Sequence, residues 1–375
     1  MPYPKLSPEL PHDHALVAAR EDFAILDGGR RVFLDNAVTT QKSRDVIRRI
    51  KHFYARQNFH AESAAVYAAS RKTVARFIGA ETREIVFLRG ATDAIALVAD
   101  TWGRDNIGRG DEIVVSALEH QANLTPWRKL AASSGATLRV VPADSDGDLC
   151  IEAFQEHLNA HTKLVAVTHV SNVLGTVAPI KAIAAAAHGV GARVLVDGAQ
   201  AVAHFPVDVN ELGVGFYAFS AHKVFGPTGV GALFVKHDVM ESADLETGTP
   251  DIAGAAGFAS ALKMLRRLTL IEIARHERKL LDHLSDRLRR VPNLRLIGTT
   301  KNKVAIQSFV IDGIPPHVIK SALDLRNVEV QAGQFSALPV LSAFGLDAAV
   351  RVSLAFYNTR QDVDTFLDAL ESITP

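Results

Sequence analysis

The sequence of 375 residues contains one cysteine, Cys150. A single thiol cannot form an intramolecular disulfide or a zinc site built from several cysteines, which fits a reducing compartment. Long hydrophobic runs are also missing: no stretch approaches the roughly 18 apolar residues of a membrane-spanning helix, and residues 1–30 lack the apolar core of a signal peptide. We therefore expect a cytoplasmic protein without a membrane partner.

Net charge is absent as well, because 41 basic side chains balance 41 acidic ones. The chain therefore has no overall field that would attract nucleic acid or an anionic membrane. No metal site is expected either, since His12 and His14 lie in an N-terminal tail and His276 and Glu277 lie on the charged face of a helix. The length predicts either a large domain and a smaller one or a single elaborated α/β unit.

From about residue 84 onward, short β-branched runs alternate with alanine- and leucine-rich stretches of helical length. This alternation predicts βαβ units and an α/β fold with a mainly parallel sheet. The runs are almost continuously hydrophobic, which predicts burial on both faces of that sheet. The predicted strands are residues 84–88, 112–116, 138–142, 163–169, 193–197, 216–220 and 230–235.

The last third of the chain predicts a smaller α+β unit. Residues 258–290 carry leucine and isoleucine among charged residues and predict one long amphipathic helix that bridges two domains. The elements predicted after it are strands at 294–297, 304–311, 328–331 and 350–354 and helices at 316–325 and 360–373.

A lysine follows the predicted strand 216–220. Lys223 comes after Ser220 and His222 and before a turn rich in glycine and proline. Partial burial beside another cation lowers the pKa of a lysine and frees its amine to act as a nucleophile. An ordinary surface lysine at the end of a strand is the alternative interpretation.

An aspartate, Asp197, ends the predicted strand 193–197, and Gln200 follows it. The carboxylate could keep a ring nitrogen protonated while the amide donates to a ring oxygen, as a pyridinium cofactor requires. An aspartate that caps the next helix is the alternative. Residues just past parallel strands lie where open α/β sheets bind their ligands, which favours the cofactor interpretation.

Gly90 and Thr92 follow the predicted strand 84–88 and lead into a helix. Free backbone N–H groups at such a helix start can bind a phosphate, and the threonine hydroxyl can add a further hydrogen bond. A glycine turn with a capping side chain is the alternative. No GxGxxG or GxxxxGK[ST] segment follows a strand, which disfavours a nucleotide-binding loop.

Two further side chains carry chemistry of their own. His120 follows the predicted strand 112–116 and could lie against a flat cofactor or transfer protons, although a solvated loop histidine is the alternative. Arg351 begins an apolar strand, and its planar guanidinium suits the α-carboxylate of a substrate. An ion pair at the end of the strand explains Arg351 equally well.

Taken together, these segments resemble the cysteine desulfurase and selenocysteine lyase branch of the class V aminotransferase-fold enzymes, which use pyridoxal phosphate (PLP). The similarity extends from about residue 31 to residue 375, and the segments match in order and approximate spacing. They are residues 33–37 (FLDNA), 119–120 (EH), 168–176 (THVSNVLGT), 197–200 (DGAQ), 220–223 (SAHK) and the Gly-Thr-Pro of 248–250.

The resemblance implies an aspartate-aminotransferase-like fold of type I, with a PLP-binding large domain at 31–257 and a small domain formed by 1–30 and 258–375. It implies a homodimer that acts on a small amino acid. It also implies a role for each matching residue: Lys223 as the lysine that carries the cofactor, Asp197 at the ring nitrogen, Gln200 at the ring hydroxyl, His120 on the ring, Thr92, Ser220 and His222 at the phosphate, Asn172 near cofactor and substrate, Arg351 on the substrate carboxylate, and Thr249 at the phosphate of a neighbouring subunit.

The chain departs from this branch in one loop. Desulfurases of this type carry a cysteine in a segment close to Arg-x-Gly-His-His-Cys, whereas this chain has Gln331, Gln334, Phe335 and Ser336 at the corresponding positions. A serine hydroxyl is far less acidic than a thiol and cannot store sulfur as a persulfide. We expect Gln331 and Ser336 to contact a different substrate, and the short segment 236–246 to leave the site more open.

The sequence therefore predicts a desulfurase-like PLP enzyme without persulfide chemistry, of the C–S or C–Se lyase or desulfinase type. An aminotransferase or an epimerase is an alternative outcome of the same cofactor chemistry. A second alternative is a PLP-binding paralogue without desulfurase activity that serves as a binding partner. A nicotinamide dehydrogenase is disfavoured because the glycine-rich fingerprint is absent.

Overall fold

A computed structural model describes residues 13–26, 28, 31–241 and 245–373. The strands are β1 Val32–Phe33, β2 Ile85–Leu88, β3 Glu112–Ser116, β4 Thr137–Val141, β5 Thr162–Thr168, β6 Arg193–Asp197, β7 Phe216–Ser220, β8 Gly231–Val235, β9 Leu294–Ile297, β10 Ile306–Ile311, β11 Val328–Glu329, β12 Gln331–Gly333 and β13 Ala349–Ser353.

The α-helices lie between these strands and at the end of the chain. They are α1 Asp13–Arg20, α2 Arg44–Arg56, α3 His60–Phe77, α4 Ala91–Val98, α5 Arg104–Asn106, α6 Thr125–Ser134, α7 Ile151–His157, α8 Ile180–Gly189, α9 Val209–Leu212, α10 Ile252–Leu268, α11 Leu270–Leu288, α12 Pro316–Asp324, α13 Leu338–Ala343 and α14 Arg360–Glu371.

A seven-stranded sheet in the order β2-β8-β7-β6-β5-β3-β4 forms the centre of the molecule. Strands β4, β3, β5, β6 and β7 run parallel, and β8 is antiparallel to both of its neighbours. Hydrophobic clusters cover both faces, because valine and leucine on alternate positions of one strand enter different clusters. The expected α/β fold with a mainly parallel sheet is confirmed.

A smaller antiparallel sheet in the order β12-β13-β10-β9 packs with α11, α12 and α14 around a separate cluster. The two short strands β1 and β11 pair in parallel, so a segment near residue 32 joins the last third of the chain. The division into 31–257 against 1–30 and 258–375 stays a prediction, and residues 1–12, 27, 29 and 30 of it lie outside the described residues.

The predicted single helix at 258–290 is wrong, because the chain forms α10 and α11 with a break at Thr269. Thr269 has φ 59° and ψ 125°, a backbone conformation that ends one helix before the next begins. Leu262 and Leu265 pack in the large core, whereas Leu284 packs in the small one. The residues of one continuous leucine pattern therefore pack partly in the large core and partly in the small one.

The predicted strand 328–331 is also wrong in part. It divides into β11 and β12, which pair with different partners, β1 and β13. Within the described ranges, no helix has the length and apolar character needed to cross a membrane. The same residues contain no group of three or more histidine, cysteine, aspartate or glutamate side chains arranged to hold a metal ion.

Candidate active site

A cavity of about 490 Å³ lies at the carboxyl ends of the parallel strands, between the large sheet and the strands β12 and β13. The structure brings all but one of the predicted site residues together in its lining. They are Thr92, His120, Asn172, Asp197, Gln200, Ser220, His222, Lys223, Gln331, Ser336 and Arg351.

Thr249 is the exception, since it lines a different cavity together with Glu246 and Pro250. Glu246 anchors this part of the chain: Arg71 donates to both of its carboxylate oxygens at 2.6 and 2.7 Å, and Tyr67 donates to it at 2.7 Å. The short connection between β8 and α10 is therefore tied to α3.

Lys223 ends a short 3₁₀ turn, Ala221–Lys223, that follows β7 directly. The carbonyl of His222 accepts hydrogen bonds from the backbone and hydroxyl of Thr40 at 2.9 and 3.0 Å, and this holds the turn in place. Burial lowers the pKa of Lys223 to about 8, while the charge of Asp197 acts in the opposite direction and that of Arg351 adds to the lowering. A substantial share of its amine is therefore unprotonated near neutral pH.

Asp197 ends β6 and is buried, with one carboxylate oxygen accepting from the backbone N–H of Ala199 at 3.0 Å. The backbone N–H of His169 donates to the carbonyl of Asp197 at 2.9 Å, which fixes the strand end. The buried amide of Gln200 donates to the carbonyl of Ala37 at 2.7 Å. The aspartate and the amide thus line the same cavity as Lys223.

The start of α4 lies against the end of β7. The backbone N–H of Ala91 donates to the Ser220 hydroxyl at 2.8 Å. The backbones here are so close that a Cβ on Gly231 would lie 2.6 Å from the Cα of Gly90, so glycine is required at this approach. Because Thr92 is the second residue of α4, its hydroxyl and the free N–H groups of the helix start form a place for an anion.

His222 adds a neutral donor to the same end of the cavity. Burial, followed by the charges of Lys223 and Lys42, lowers the pKa of His222 to about 4. Its Nδ1 lies 3.4 Å from the hydroxyl of Thr39. The ring is therefore uncharged at neutral pH and keeps one N–H for a ligand.

His120 is held by its own loop. Its Nδ1 accepts from the backbone N–H of Ala122 at 3.1 Å, so the proton of the neutral ring lies on Nε2. Burial, and then the charge of Lys223, lowers the pKa of His120 against the opposing effect of Asp197. A neutral imidazole with a fixed tautomer can lie flat against an aromatic ligand and exchange a proton at Nε2.

The preceding residue, Glu119, is fully buried and fixes the position of this loop. Its carboxyl group accepts from Ser116 at 2.5 Å, from Asn123 at 2.6 Å and from the backbone N–H of Thr168 at 2.8 Å. Burial raises its pKa to about 8, although these three hydrogen bonds oppose the shift. Glu119 thus joins the ends of β3 and β5 beneath the loop that carries His120.

Arg351 lies on β13 and is 1 % exposed. Its guanidinium donates from Nη1 to the carbonyl of Asn172 at 2.9 Å and from Nη2 to Asp35 at 3.1 Å. Its centre is 4.8 Å from the middle of the Phe335 ring. Burial lowers the pKa of Arg351 and raises that of Asp35, so desolvation opposes both charges of this pair.

The loop after β12 completes the cavity. Asn172 donates from Nδ2 to the carbonyl of Phe335 at 2.9 Å, and the backbone N–H of Gln121 donates to the carbonyl of Ser336 at 2.7 Å. Gln331, on the edge strand of the small sheet, is half-buried, and Ser336 is exposed. Cys150, the single cysteine, precedes α7 and does not contribute to the lining.

Sequence reasoning missed three contacts of this site. Asp35 and Glu119 lie in segments that resemble the family, but the sequence assigns them no role. Phe335 lies in the diverged loop, where the sequence shows only that it replaces a histidine of the desulfurases. Their partners Arg351 and Thr168 are distant in the sequence. The signals available were a carboxylate in an apolar segment and an aromatic residue within a diverged loop, and neither signal identifies a partner.

The family described as Aminotransferase class-V matches residues 32–245 and 241–366. The chain is 42 % identical over 397 residues to a probable cysteine desulfurase of Mycolicibacterium paratuberculosis, and the match covers 96 % of this chain and 58 % of that protein. It is 42 % identical over 393 residues to a cysteine desulfurase of Synechococcus elongatus, covering 94 % and 63 %. The chain therefore spans less than two thirds of both of these relatives.

A solved structure of a cysteine desulfurase from Thermococcus onnurineus superposes with a TM-score of 0.91. It is 31 % identical in sequence, and the match covers 99 % of each chain.

Proposed function

The chain belongs to the class V aminotransferase family of PLP-dependent enzymes, and from this premise we propose that it acts on a small amino acid as a C–S or C–Se lyase or desulfinase that forms no persulfide. Its lining residues supply the groups that PLP and an amino acid require.

The residues of the cavity fit PLP. Ala91 and Thr92 at the start of α4 line the cavity and offer N–H and hydroxyl groups to an anion, and the buried Oδ1 of Asn172 has no hydrogen-bond partner among the described residues. Lys223 would hold the cofactor covalently and Asp197 would keep its ring nitrogen protonated. The remaining contacts would come from Gln200 at the ring hydroxyl, His120 on the ring, and Thr92, Ser220 and His222 at the phosphate. When bound, PLP withdraws electrons from the substrate α-carbon.

Proton transfer falls to two residues of the chain. The amine of Lys223, whose pKa is near 8, can take the α-proton at Nζ and return it to another carbon. His120 can exchange a proton at Nε2 with a departing group. Arg351 binds the substrate carboxylate, which orients the α-C–H bond for removal.

The position of Ser336 is the observation that carries this proposal. It lines the cavity together with Lys223, and Cys150 lies outside the lining. The sequence resemblance implies that Ser336 corresponds to the cysteine of the desulfurases. Phe335 and Gln334 beside it offer no base to ionise a hydroxyl. Without a thiolate, sulfur has to leave with the product, as sulfite or as a thiol, rather than stay on the protein.

The test is a panel of purified holoenzyme reactions. Cysteine, cysteine sulfinate, selenocysteine, thioethers and simple amino acids are each scored for sulfide, sulfite, pyruvate, alanine and racemised substrate. We expect sulfite with alanine, or a thiol or selenide product, from at least one substrate. The cysteine reaction contains dithiothreitol, which supplies the two electrons that release persulfide sulfur as sulfide. Sulfide with an equal amount of alanine would then contradict the absence of thiol chemistry, and a Lys223→Ala variant serves as the inactive control.

The same panel distinguishes the alternatives. When a keto acid is added as acceptor, its conversion to an amino acid with formation of a new keto acid from the donor indicates an aminotransferase. Racemised substrate alone indicates an epimerase. A cofactor spectrum that no amino acid changes indicates a paralogue that acts as a binding partner.

We also propose a cytoplasmic homodimer in which Thr249 reaches the cofactor phosphate of the neighbouring subunit. The support is that Thr249 lies outside the cavity of its own Lys223. Sedimentation of the holoenzyme tests the dimer. A Thr249→Ala variant is expected to bind PLP more weakly without losing its oligomeric state.

A further inference from the structure

The loop between β12 and α13 has a strained backbone. Phe335 and Ser336 have φ angles of 55° and 52°, so two consecutive non-glycine residues occupy the left-handed region. Residues other than glycine, asparagine and aspartate rarely adopt this left-handed backbone conformation, and the strain persists only where surrounding contacts impose it. Strain of this kind is concentrated at active sites and ligand clamps.

Three contacts impose the conformation. Asn172 and Gln121 each donate to a carbonyl of the loop, at 2.9 and 2.7 Å, and the Phe335 ring lies over the guanidinium of Arg351. Asn172, Phe335 and Arg351 line the cavity that holds Lys223, and Gln121 lines the neighbouring one. The strained turn therefore has one direct effect on the site, which is to place an aromatic ring on the cation of Arg351.

Arg351 still has hydrogen-bonding capacity for a ligand. Its Nη1 and Nη2 each donate once, but its buried Nε has no acceptor within the described residues. A carboxylate binds a guanidinium in its plane, along an edge, and the Cζ of Arg351 lies 4.8 Å from the centre of the Phe335 ring. A phenyl ring takes none of the N–H groups in the guanidinium plane, so Nε stays available to a carboxylate while the contact restricts the guanidinium and keeps water from it.

We infer that Phe335 is the positioning and specificity-determining residue of the carboxylate subsite. Its ring orients Arg351 and excludes water from it, so that the site selects amines that carry an α-carboxylate. This inference rests on the proposed function, because it assigns the α-carboxylate of the substrate to Arg351. Removing the ring weakens carboxylate binding but leaves the binding of the amino group unchanged.

The experiment compares two ligands that differ only in the carboxylate. L-Alanine and ethylamine are titrated into the PLP-loaded enzyme, and the change in cofactor absorbance gives an apparent Kd for each. The Kd of ethylamine divided by the Kd of L-alanine measures the carboxylate preference independently of the amine reaction. In Phe335→Leu we expect this ratio to fall by a factor between about 2 and about 30, the range that corresponds to a cation–π contact at exposed to desolvated sites.

Two variants serve as controls. Phe335→Tyr keeps an aromatic ring and is expected to retain the wild-type ratio. Phe344→Leu removes a partly buried phenylalanine that packs on the same core but does not line the cavity, and it is also expected to retain the ratio.

If Phe335→Leu causes only a general loss of packing, the binding of both ligands will weaken equally and the ratio will stay unchanged. That result would overturn the inference. A higher ratio would overturn it too, because it would mean that the ring competes with the carboxylate. A wild-type enzyme whose cofactor responds to neither ligand would instead refute the proposed function itself.

Discussion

The amine of Lys223 is expected to attach PLP rapidly at neutral pH, because burial lowers its pKa from 10.5 to about 8. At pH 7 about one tenth of an amine with this pKa is unprotonated, compared with roughly one part in 3,000 for an ordinary lysine. The attachment rate of the apoenzyme should therefore exceed that of a solvent-exposed lysine by about 300-fold at pH 7, other factors being equal. The rate should rise about tenfold per pH unit up to pH 7.5 and level off above pH 8.

Stopped-flow absorbance of apoenzyme mixed with PLP measures this rate from pH 6 to pH 10. Nα-acetyl-lysine in the same buffers provides the reference for the ionisation of PLP itself. Because the unprotonated fraction of this reference amine rises about tenfold per pH unit, the enzyme rate divided by the reference rate should be flat below pH 7.5 and fall above pH 8. Asp197→Asn removes the negative charge that raises the pKa of Lys223, so its plateau should begin at a lower pH. A rate that keeps rising tenfold per unit to pH 9.5 would refute the reasoning.

Three further predictions concern the groups around the cofactor. The pKa of Glu119 is raised from 4.5 to about 8 in the folded protein. Its contribution to stability is therefore complete below pH 4.5 and is lost as the pH rises to 8. Glu119→Gln should remove up to about 5 kcal/mol of this pH dependence, which would be measured as a smaller fall in apoenzyme Tm between pH 5 and pH 8. Ser336→Cys alone should release no sulfide from cysteine in a methylene-blue assay run with dithiothreitol, because its chain neighbours Gln334 and Phe335 carry no basic group; stoichiometric sulfide would contradict this. Asp35→Ala should lower the free energy of unfolding by about 3–5 kcal/mol, because the buried Arg351 loses its carboxylate partner, and should lower the Tm by roughly 5 °C. The control variant Asp45→Ala, which removes an exposed ion pair, should change the Tm little.

Much of the large sheet could be predicted from the sequence. Strands β6 and β7 begin and end where their hydrophobic runs predict, because a strand buried on both faces leaves a local record in consecutive residues. The positions of Asp197 and Lys223 follow, since parallel strands deliver the residues after them to one edge. These predictions need only the order and chemistry of neighbouring residues.

The small sheet and the helix break could not be predicted in the same way. The leucine pattern continues across Thr269 without a glycine or proline, although α11 begins in the large core, where Ile273 packs, and ends in the small one, where Leu284 packs. The separation of β11 from β12 likewise depends on pairing with β1, about 300 residues earlier in the chain. Long-range pairing leaves no signal in the segment that it divides.

The sequence by itself determined which reactive groups this protein brings to its cavity: a lysine, an aspartate and a helix start at the ends of buried strands, and a serine in the loop after β12. The tertiary structure alone decided how Arg351 is presented. Asp35 binds its Nη2, Asn172 accepts from its Nη1, and the Phe335 ring covers it, although these residues come from distant parts of the chain. The physical reason is that the identity of a charged group is local, whereas its desolvation and orientation depend on partners that only the folded chain brings together.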